Sequence, residues 1–282
     1  MTAELDQVIK VVVDTALRED LGFDFDAGDI TTEAIVGGQL GSASISTNQS
    51  GIVAGMPVAE AVFAALGTTV EWRPKVRDGE SIAAGRVIAG LTGDLKTILK
   101  GERTALNILS RLSGIATLTH RYVDAVAGTQ AAIYDTRKTT PGLRVLEKYA
   151  VIMGGGRNHR FGLYDAILIK DNHLIGRTVG EAIELAKRAQ PGRLIEVEVE
   201  TIDQLNEAIE AAADIVLLDN MDISTISESV AIAKGKVEIE VSGGINLDNI
   251  RAVAIAGAER ISIGAITQGA PPIDFSLTVT GA

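Results

Sequence analysis

Apolar residues recur along the chain in two patterns, and the first of these occupies the N-terminal third. Residues 5–21 place apolar side chains three and four positions apart, which predicts an amphipathic helix. Short apolar runs follow, separated by turn signals at 77–79 (Arg-Asp-Gly) and 84–85 (Ala-Gly). Such punctuation is typical of antiparallel strands, here at 42–47, 69–72 and 86–92. The pattern predicts a small domain that mixes helix and strand.

Beyond a long helical segment at 102–126, apolar runs alternate with amphipathic helices. Runs this apolar are typical of strands covered on both faces, as in parallel sheets. Steps of 21, 23 and 22 positions separate Glu198, Asp219, Ser242 and Gly264, so one strand and one helix repeat at near-constant length. The pattern predicts an α/β fold with a TIM-like (β/α) barrel of about seven strands. Six candidates are 131–135, 166–169, 194–199, 215–218, 237–241 and 260–263; a seventh is sought at 149–153 or 157–163, and helices are predicted at 179–189, 202–213 and 247–256.

The residues that follow these strands are polar, charged or glycine. Because the C-terminal ends of parallel barrel strands share one face, we expect their side chains to converge on one site. The strand ends carry Arg137 and Lys138, then 170–173 (Lys-Asp-Asn-His), Glu198 and Glu200, Asp219 and Asn220, 242–244 (Ser-Gly-Gly), and Gly264 with Ala265.

Three cations stand at these ends although the chain carries a net charge of -11. Arg137, Lys138 and Lys170 would repel one another in a shared site, so a polyanionic ligand best explains their gathering. Thr136 and Thr139 add hydroxyl donors. Each charge-assisted hydrogen bond contributes about 1.5–3 kcal/mol, so three or four of them match micromolar binding.

Two carboxylates and two glycine-bearing segments complete the predicted rim. Glu198 and Asp219 favour either Mg²⁺ with substrate phosphates or hydrogen bonds to sugar hydroxyls. Strand alternation puts Glu196, Glu198 and Glu200 on one side, so it does not choose among them. The segment 242–246, ahead of a helix expected at about Leu247, predicts a phosphate cradle, with 263–266 as its second half.

Composition excludes several other classes of protein. The chain has no cysteine, which excludes disulfides and thiolate zinc sites, and its pI near 4.8 argues against a nucleic-acid partner. An acidic N-terminus and the lack of an apolar run of about 18 residues predict no export signal and no membrane association, and thus a cytoplasmic location. A glycosidase would use paired carboxylates but not these cations. A biotinyl or lipoyl carrier needs a lysine at a hairpin tip, where 81–84 has none.

Ten sequence blocks, in this order, resemble the quinolinate phosphoribosyltransferase family. The resemblance covers nearly the whole chain. The blocks are 18–22 (Arg-Glu-Asp-Leu-Gly), 28–32 (Gly-Asp-Ile-Thr-Thr), 101–107 (Gly-Glu-Arg-Thr-Ala-Leu-Asn), 111–117 (Arg-Leu-Ser-Gly-Ile-Ala-Thr), 135–144 (Asp-Thr-Arg-Lys-Thr-Thr-Pro-Gly-Leu-Arg), 154–160 (Gly-Gly-Gly-Arg-Asn-His-Arg), 168–173 (Leu-Ile-Lys-Asp-Asn-His), 196–198 (Glu-Val-Glu), 218–221 (Leu-Asp-Asn-Met) and 242–245 (Ser-Gly-Gly-Ile).

The resemblance implies an N-terminal α/β sandwich domain over 1–110, joined by 267–282, and an open barrel over 111–266 that carries the catalytic site. It also implies a homodimer or higher homo-oligomer in which neighbouring subunits share active sites. By matching motif, quinolinate would be held by Arg103, Arg137, His159, Arg160 and Lys170, and phosphoribosyl pyrophosphate would be contacted by Lys138. Ribose hydroxyls and Mg²⁺ would be held by Glu198 and Asp219, and phosphate by Ser242, Gly243, Gly244 and Gly264. Thr136, Ile263 and Ala265 are further candidates for substrate binding.

The implied activity is transfer of a phosphoribosyl group to quinolinate with loss of CO₂, with Mg²⁺ as the only cofactor. Two alternatives stay open at this point: a related phosphoribosyl transferase or the molybdenum-transport-associated paralogue with a different acceptor, and a non-catalytic metabolite-binding protein of the same fold. The chain departs from the family pattern at 23–27, which is longer than usual, at Ile152-Met153, and at 266–269 (Ile-Thr-Gln-Gly). These departures affect the loops and the phosphate end rather than any cation.

Overall fold

The computed structural model describes residues 3–23, 28–67 and 69–281. These residues form two compact units, one of 1–120, 139–155 and 267–282 and a second of 121–138 and 156–266, each within the described ranges. Residues 24–27, most of the long segment predicted at 23–27, lie outside the described residues. The domain boundary predicted at residue 110 stays a prediction. One continuous helix, residues 95–125, runs through that position.

Helices and strands are numbered in chain order. The helices are α1 (Ala3–Leu21), α2 (Ile30–Ile35), α3 (Met56–Ala65), α4 (Leu95–Ala125), α5 (Arg144–Met153), α6 (Val179–Ala189), α7 (Ile202–Glu210), α8 (Ile223–Ala233), α9 (Ile250–Ile255) and α10 (Ala265–Gln268). The strands are β1 (Leu40–Thr47), β2 (Gly51–Ile52), β3 (Val70–Pro74), β4 (Ser81–Ile82), β5 (Val87–Asp94), β6 (Ala132–Tyr134), β7 (Ile167–Ile169), β8 (Ile195–Val199), β9 (Ile215–Asp219), β10 (Glu238–Ser242), β11 (Arg260–Ser262) and β12 (Phe275–Gly281).

The first unit is built on an antiparallel sheet with strand order β12-β1-β5-β3. Strand β1 alternates buried and partly exposed residues along its length, so one face of it is packed. Ile45 of β1 and Leu91 of β5 are among the fully buried side chains of this face. Helix α1 buries its apolar stripe, including Val13 and Leu17. The predicted amphipathic helix and three strands are all present.

The second unit is a parallel sheet with strand order β6-β11-β10-β9-β8-β7. Central strands β9 and β10 are buried over most of their length, as expected of strands covered on both faces; in β10 this includes Glu240. A parallel bridge joins Tyr134 of β6 to Arg157, in the second range proposed for a seventh strand, whereas 149–153 belongs to α5. The α/β class with an open barrel and a separate N-terminal antiparallel sheet is therefore confirmed.

Two helices differ here from the predicted bounds for local reasons. Helix α4 begins at Leu95 rather than Glu102, and the side chain of Asp94, just before its first residue, accepts a hydrogen bond from the Thr97 amide at 2.9 Å. Helix α7 ends at Glu210 rather than 213, followed by Ala212 with a left-handed φ of 51°. None of the helices in the described ranges has the length and apolar character needed to cross a membrane.

Candidate active site

A cavity of about 580 Å³ opens at the C-terminal ends of the parallel strands of the second unit. It is lined by residues of five of the six strands, β7 to β11, and by the loop after β6, as the shared strand direction requires. Twelve of the fifteen predicted site residues line it: Thr136, Arg137, Lys138, His159, Arg160, Lys170, Glu198, Asp219, Ser242, Gly243, Gly244 and Gly264.

Three predicted site residues lie elsewhere. Arg103 is exposed on α4, in the first unit. Ile263 is 2% exposed and packs behind the end of β11, and Ala265 is the exposed first residue of α10. Neither Ile263 nor Ala265 lines the cavity; of the predicted segment 263–266, only Gly264 reaches it.

Four cations share this cavity. Arg137 and Lys138 are exposed in the loop after β6, and Arg160 and Lys170 are partly buried. Burial lowers the pKa of Arg160, and the positive charge of Arg137 lowers it further, which shows that the two guanidiniums are close enough to repel each other. Arg160 Nη1 also donates to the Ala166 carbonyl at 3.2 Å. Cations gathered in this way are suited to an anionic ligand.

Lys138 is held by its own loop and by a glycine. Its amide donates to Thr136 Oγ1 at 3.0 Å, which closes a tight turn after β6. A Cβ placed on Gly264 would lie 2.6 Å from Lys138 Cδ. The absence of a side chain at Gly264 therefore lets the lysine stem lie against the backbone at the end of β11.

The two predicted carboxylates lie at the ends of the adjacent strands β8 and β9. Lys170 Nζ contacts Glu198 Oε2 at 2.5 Å, and the lysine amide is fixed by His173 Nδ1 at 2.8 Å. Asn220 Nδ2 donates to Asp219 Oδ2 at 2.7 Å. Two carboxylates on neighbouring strands offer the oxygen ligands that Mg²⁺ prefers when substrate phosphates complete its coordination, so this donor set fits the predicted metal.

The glycine loop after β10 is shaped by positive φ angles. Gly243 and Gly244 have φ values of 92° and 61°, and a Cβ on Gly243 would lie 2.2 Å from Asn220 Oδ1. The helix expected at Leu247 begins at Ile250 instead, because the Asn246 side chain accepts from the Asp248 and Asn249 amides in a turn. That expectation was wrong, and the loop backbone, not a helix start, faces the cavity.

A buried polar cluster beneath the cavity was not predicted. His159 Nε2 lies 2.8 Å from Glu196 Oε2 and 3.5 Å from Glu240 Oε1, and Arg260 Nε donates to Glu240 Oε2 at 2.6 Å. Burial opposes the charged form of His159, but the two carboxylates outweigh it and raise the pKa of the imidazole. The signal was available in the sequence, since Glu196 and Glu240 stand two positions before Glu198 and Ser242 on strands otherwise apolar in that half.

Family models match the chain in two consecutive parts. The quinolinate phosphoribosyl transferase N-terminal domain model matches residues 29–113, and the C-terminal domain model of the same family matches residues 115–278. Together these two matches cover most of both units.

Named relatives and solved structures are similar over almost the full length. A probable nicotinate-nucleotide pyrophosphorylase (carboxylating) of Bacillus subtilis (strain 168) is 42% identical over 276 residues, covering 96% of this chain and 93% of its own. One from Methanothermobacter thermautotrophicus is 40% identical, covering 96% and 98%. The solved nicotinate-nucleotide pyrophosphorylase from Francisella tularensis superposes with a TM-score of 0.92 at 39% identity, covering 97% of this chain and 96% of its own.

Proposed function

The chain belongs to the quinolinate phosphoribosyltransferase family, and we propose that it converts quinolinate and phosphoribosyl pyrophosphate into nicotinate mononucleotide, pyrophosphate and CO₂. The relatives' names describe this reaction, and we propose that it serves de novo NAD biosynthesis. One observation carries the proposal at the level of the site. Four cations, two carboxylates and a glycine loop from separate strands line a single cavity. Each group has the charge or hydrogen-bonding capacity to bind one part of the two substrates.

The acceptor end of the cavity is proposed to be formed by Arg137, Arg160 and Lys170. Quinolinate is a dianion, and three charge-assisted hydrogen bonds at about 1.5–3 kcal/mol each account for roughly the 8 kcal/mol of micromolar binding. Burial lowers the pKa of Arg160 and the charge of Arg137 lowers it further, and a substrate carboxylate between the two guanidiniums would relieve their repulsion. His159 supports this end from below, because both of its ring nitrogens already have protein partners.

The donor end is proposed to be formed by Lys138, Thr136 and the segment 242–244. Lys138 is proposed to contact the pyrophosphate that leaves, and Ser242, Gly243, Gly244 and Gly264 to hold the 5′-phosphate; all five line the cavity. Glu198 and Asp219 are proposed to bind the ribose hydroxyls. Their negative charge favours the positive charge that develops on the ribose as pyrophosphate departs.

In the proposed reaction, the pyridine nitrogen of quinolinate attacks the anomeric carbon and the bond to pyrophosphate breaks. The alkylated ring is cationic, so it can accept the electron pair that remains at C2 when the adjacent carboxylate leaves as CO₂. Cations that bind this carboxylate equally in ground and transition states do not accelerate its loss. Arg137, Arg160 and Lys170 are therefore proposed to orient the acceptor more than to lower the barrier.

Three further elements belong to the proposal. Glu198 and Asp219 would hold Mg²⁺, which supplies charge neutralisation for the pyrophosphate when bound. A homodimer or higher homo-oligomer with shared sites would use Arg103, which is exposed on α4. The location is proposed to be cytoplasmic.

Calorimetric titration of phosphoribosyl pyrophosphate with and without Mg²⁺ tests the proposed metal site. The affinity for phosphoribosyl pyrophosphate should rise with Mg²⁺ in the wild type and much less in Asp219→Asn.

The activity is tested by incubating the pure protein with quinolinate, phosphoribosyl pyrophosphate and Mg²⁺ and analysing the products by mass spectrometry. Nicotinate mononucleotide, pyrophosphate and CO₂ in equal amounts are expected. A panel of acceptors run beside it, including nicotinate and other pyridine and pyrimidine carboxylates, distinguishes the related transferases. Faster turnover of any of these than of quinolinate would overturn the proposed acceptor.

A further inference from the structure

A second layer of charged side chains lies one pleat below the cavity rim. Glu196 stands two positions before Glu198 on β8, and Glu240 two positions before Ser242 on β10, so each points to the same side as its rim neighbour, about 7 Å deeper. Both carboxylates are essentially unexposed, at 1% and 0%. Glu240 and His159 nevertheless line the floor of the cavity.

Each member of this layer has a defined partner. His159 Nε2 lies 2.8 Å from Glu196 Oε2 and 3.5 Å from Glu240 Oε1. Arg260 Nε donates to Glu240 Oε2 at 2.6 Å, and its guanidinium lies over the Tyr134 ring, 3.9 Å from the ring centre. The titratable and charged groups that face Glu240 are therefore His159, Glu196 and Arg260, with Tyr134 behind the arginine.

The contacts of the imidazole fix its proton. His159 Nδ1 accepts a hydrogen bond from the Arg160 amide at 2.7 Å, so the ring proton is on Nε2, where it is donated to Glu196. The hydrogen bond to Nδ1 holds the ring neutral although the two carboxylates raise the pKa of the imidazole, and in this state two carboxylates face one arginine. Glu196 Oε1 and Glu240 Oε1 are buried without a hydrogen-bond partner in the described part of the chain. One excess negative charge and two orphaned acceptors are costly in a closed site.

An additional proton on Glu240 removes the excess charge and turns an orphaned acceptor into a donor. Burial raises the pKa of Glu240, and the charge of Glu196 raises it further, while His159 and Arg260 oppose the shift. A bound metal ion would be a less suitable occupant, because Arg260 already holds Glu240 Oε2 and would repel a cation. The unpartnered, buried Oε1 and the single facing arginine thus favour a protonated Glu240 at the floor of the cavity.

The proposed reaction requires an acid near C2 of the pyridine ring, and Glu240 lies 3.5 Å from His159, which supports the proposed acceptor end. When the C2–carboxylate bond breaks and CO₂ leaves, the electron pair remains at C2, and the product carries hydrogen there. Among the cations of the rim, the arginines do not release protons, Lys170 is engaged by Glu198, and Lys138 is assigned to the departing pyrophosphate. We propose that Glu240 donates the proton that replaces CO₂ at C2 of the pyridine ring; this inference rests on the proposed function.

The step balances without another reactant. The proton of Glu240 passes to the electron pair at C2, and a C–H bond forms where the C–C bond broke. The carboxylate that results is stabilised by Arg260, which already donates to its Oε2. Glu240 takes a proton from solvent before the next turnover. His159, Glu196 and Arg260 act as positioning residues for the acid.

Glu240→Gln tests the inference, with Glu238→Gln as matched control. Glu238 lies on the same strand, its side chain is 41% exposed, and its Oε2 lies 3.6 Å from Arg260 Nη1, so the control makes the same chemical change beside the same arginine. General acid catalysis contributes about a hundredfold or more, so kcat for nicotinate mononucleotide should fall by that factor in Glu240→Gln. Quinolinate affinity should change by less than about twofold. In a single turnover, pyrophosphate should appear well before CO₂ and product.

Several results would overturn the inference. Equal kcat in the two variants removes the role of Glu240, and a parallel loss of quinolinate affinity and pyrophosphate release assigns it a structural role. A metal ion that binds the wild type in stoichiometric amount but does not bind Glu240→Gln would show that Glu240 holds a cation instead of a proton. Failure of the proposed function is separate, because the wild type would then form no nicotinate mononucleotide.

Wild-type protein supplies a second measurement if Glu240→Gln does not fold. The acid must be protonated to act, and its pKa is raised, so kcat should fall as pH rises through that pKa while quinolinate affinity, measured without donor, stays level. A kcat that is constant from about pH 5 to about pH 9 would contradict the inference.

Discussion

Gly243→Ala tests whether the loop after β10 owes its shape to close backbone approach. Gly243 has a φ of 92°, and an added Cβ would lie 2.2 Å from Asn220 Oδ1, 2.5 Å from Asn220 Cγ and 2.9 Å from the Asn220 amide nitrogen. Contacts this short force Asn220 to move. Gly244 is the matched control, because its φ is 61° and an added Cβ meets no atom within 4 Å.

The expected difference between the two variants follows from these contacts. An alanine in left-handed conformation costs about 1–2 kcal/mol, and both variants carry that cost. Only Gly243→Ala also displaces Asn220, whose Nδ2 donates to Asp219 Oδ2 at 2.7 Å; a hydrogen bond to a charged group contributes about 1.5–3 kcal/mol, less here because Asn220 is exposed. We expect Gly243→Ala to be less stable than Gly244→Ala by about 1–2 kcal/mol.

Urea denaturation of both variants measures the stability difference, and calorimetry with phosphoribosyl pyrophosphate and Mg²⁺ measures the consequence at the site. Asp219 loses the side chain that orients it, so the donor should bind about tenfold more weakly to Gly243→Ala than to Gly244→Ala, the equivalent of 1.4 kcal/mol. Equal stability and equal affinity in the two variants would refute the reasoning, because only the contact with Asn220 distinguishes them.

The remaining predictions concern cations at three places. Lys138→Ala should lower kcat by at least about tenfold without changing the urea midpoint, since the side chain is exposed at the rim; an unchanged kcat would remove its role. Mixing inactive Arg103→Ala with inactive Lys170→Ala should restore part of the activity if subunits share sites, and no recovery would count against sharing. Arg111→Ala should cost about 3 kcal/mol in urea denaturation, because Glu147, 0% exposed and bonded to Arg111 Nη2 at 2.8 Å, would keep an uncompensated charge; a loss below about 1 kcal/mol would contradict this.

The residues at the rim of the site were predictable because the shared direction of the strands brings their C-terminal ends to one face. Once the apolar runs at 166–169, 194–199 and 215–218 are assigned to parallel strands, the next residues must share one face. That rule brought Lys170, Glu198 and Asp219 together without any knowledge of side-chain contacts.

The contacts of the charged residues below the rim were harder to predict from the sequence. The alternation of side chains along a strand predicts Glu196 on the same side as Glu198. It does not predict that Glu196 is buried against His159, 37 positions earlier in the chain. The partner of Glu240, Arg260, lies on the next strand and is reached only through the register Glu240↔Arg260 of the β10–β11 pair. Contacts of this kind depend on sheet register, which apolar patterning does not specify to one residue.

Local turn chemistry explains the errors in element bounds. The Asn246 side chain competes with helix formation by accepting from two amides, which delays α9 to Ile250. Asp94 does the opposite at α4, where its carboxylate accepts from the Thr97 amide near the start of the helix. Both signals are single side chains that apolar periodicity does not register.

Equilibrium binding of quinolinate compared with nicotinate tests most directly whether the gathered cations recognise a dicarboxylate. The two ligands share the pyridine ring and differ by one carboxylate, which Arg137, Arg160 and Lys170 would bind. Calorimetry should give at least about tenfold tighter binding of quinolinate, from one further charge-assisted hydrogen bond of about 1.5–3 kcal/mol, and Arg160→Ala should remove most of that preference. Equal affinities for the two ligands, or a preference that Arg160→Ala leaves intact, would contradict the account.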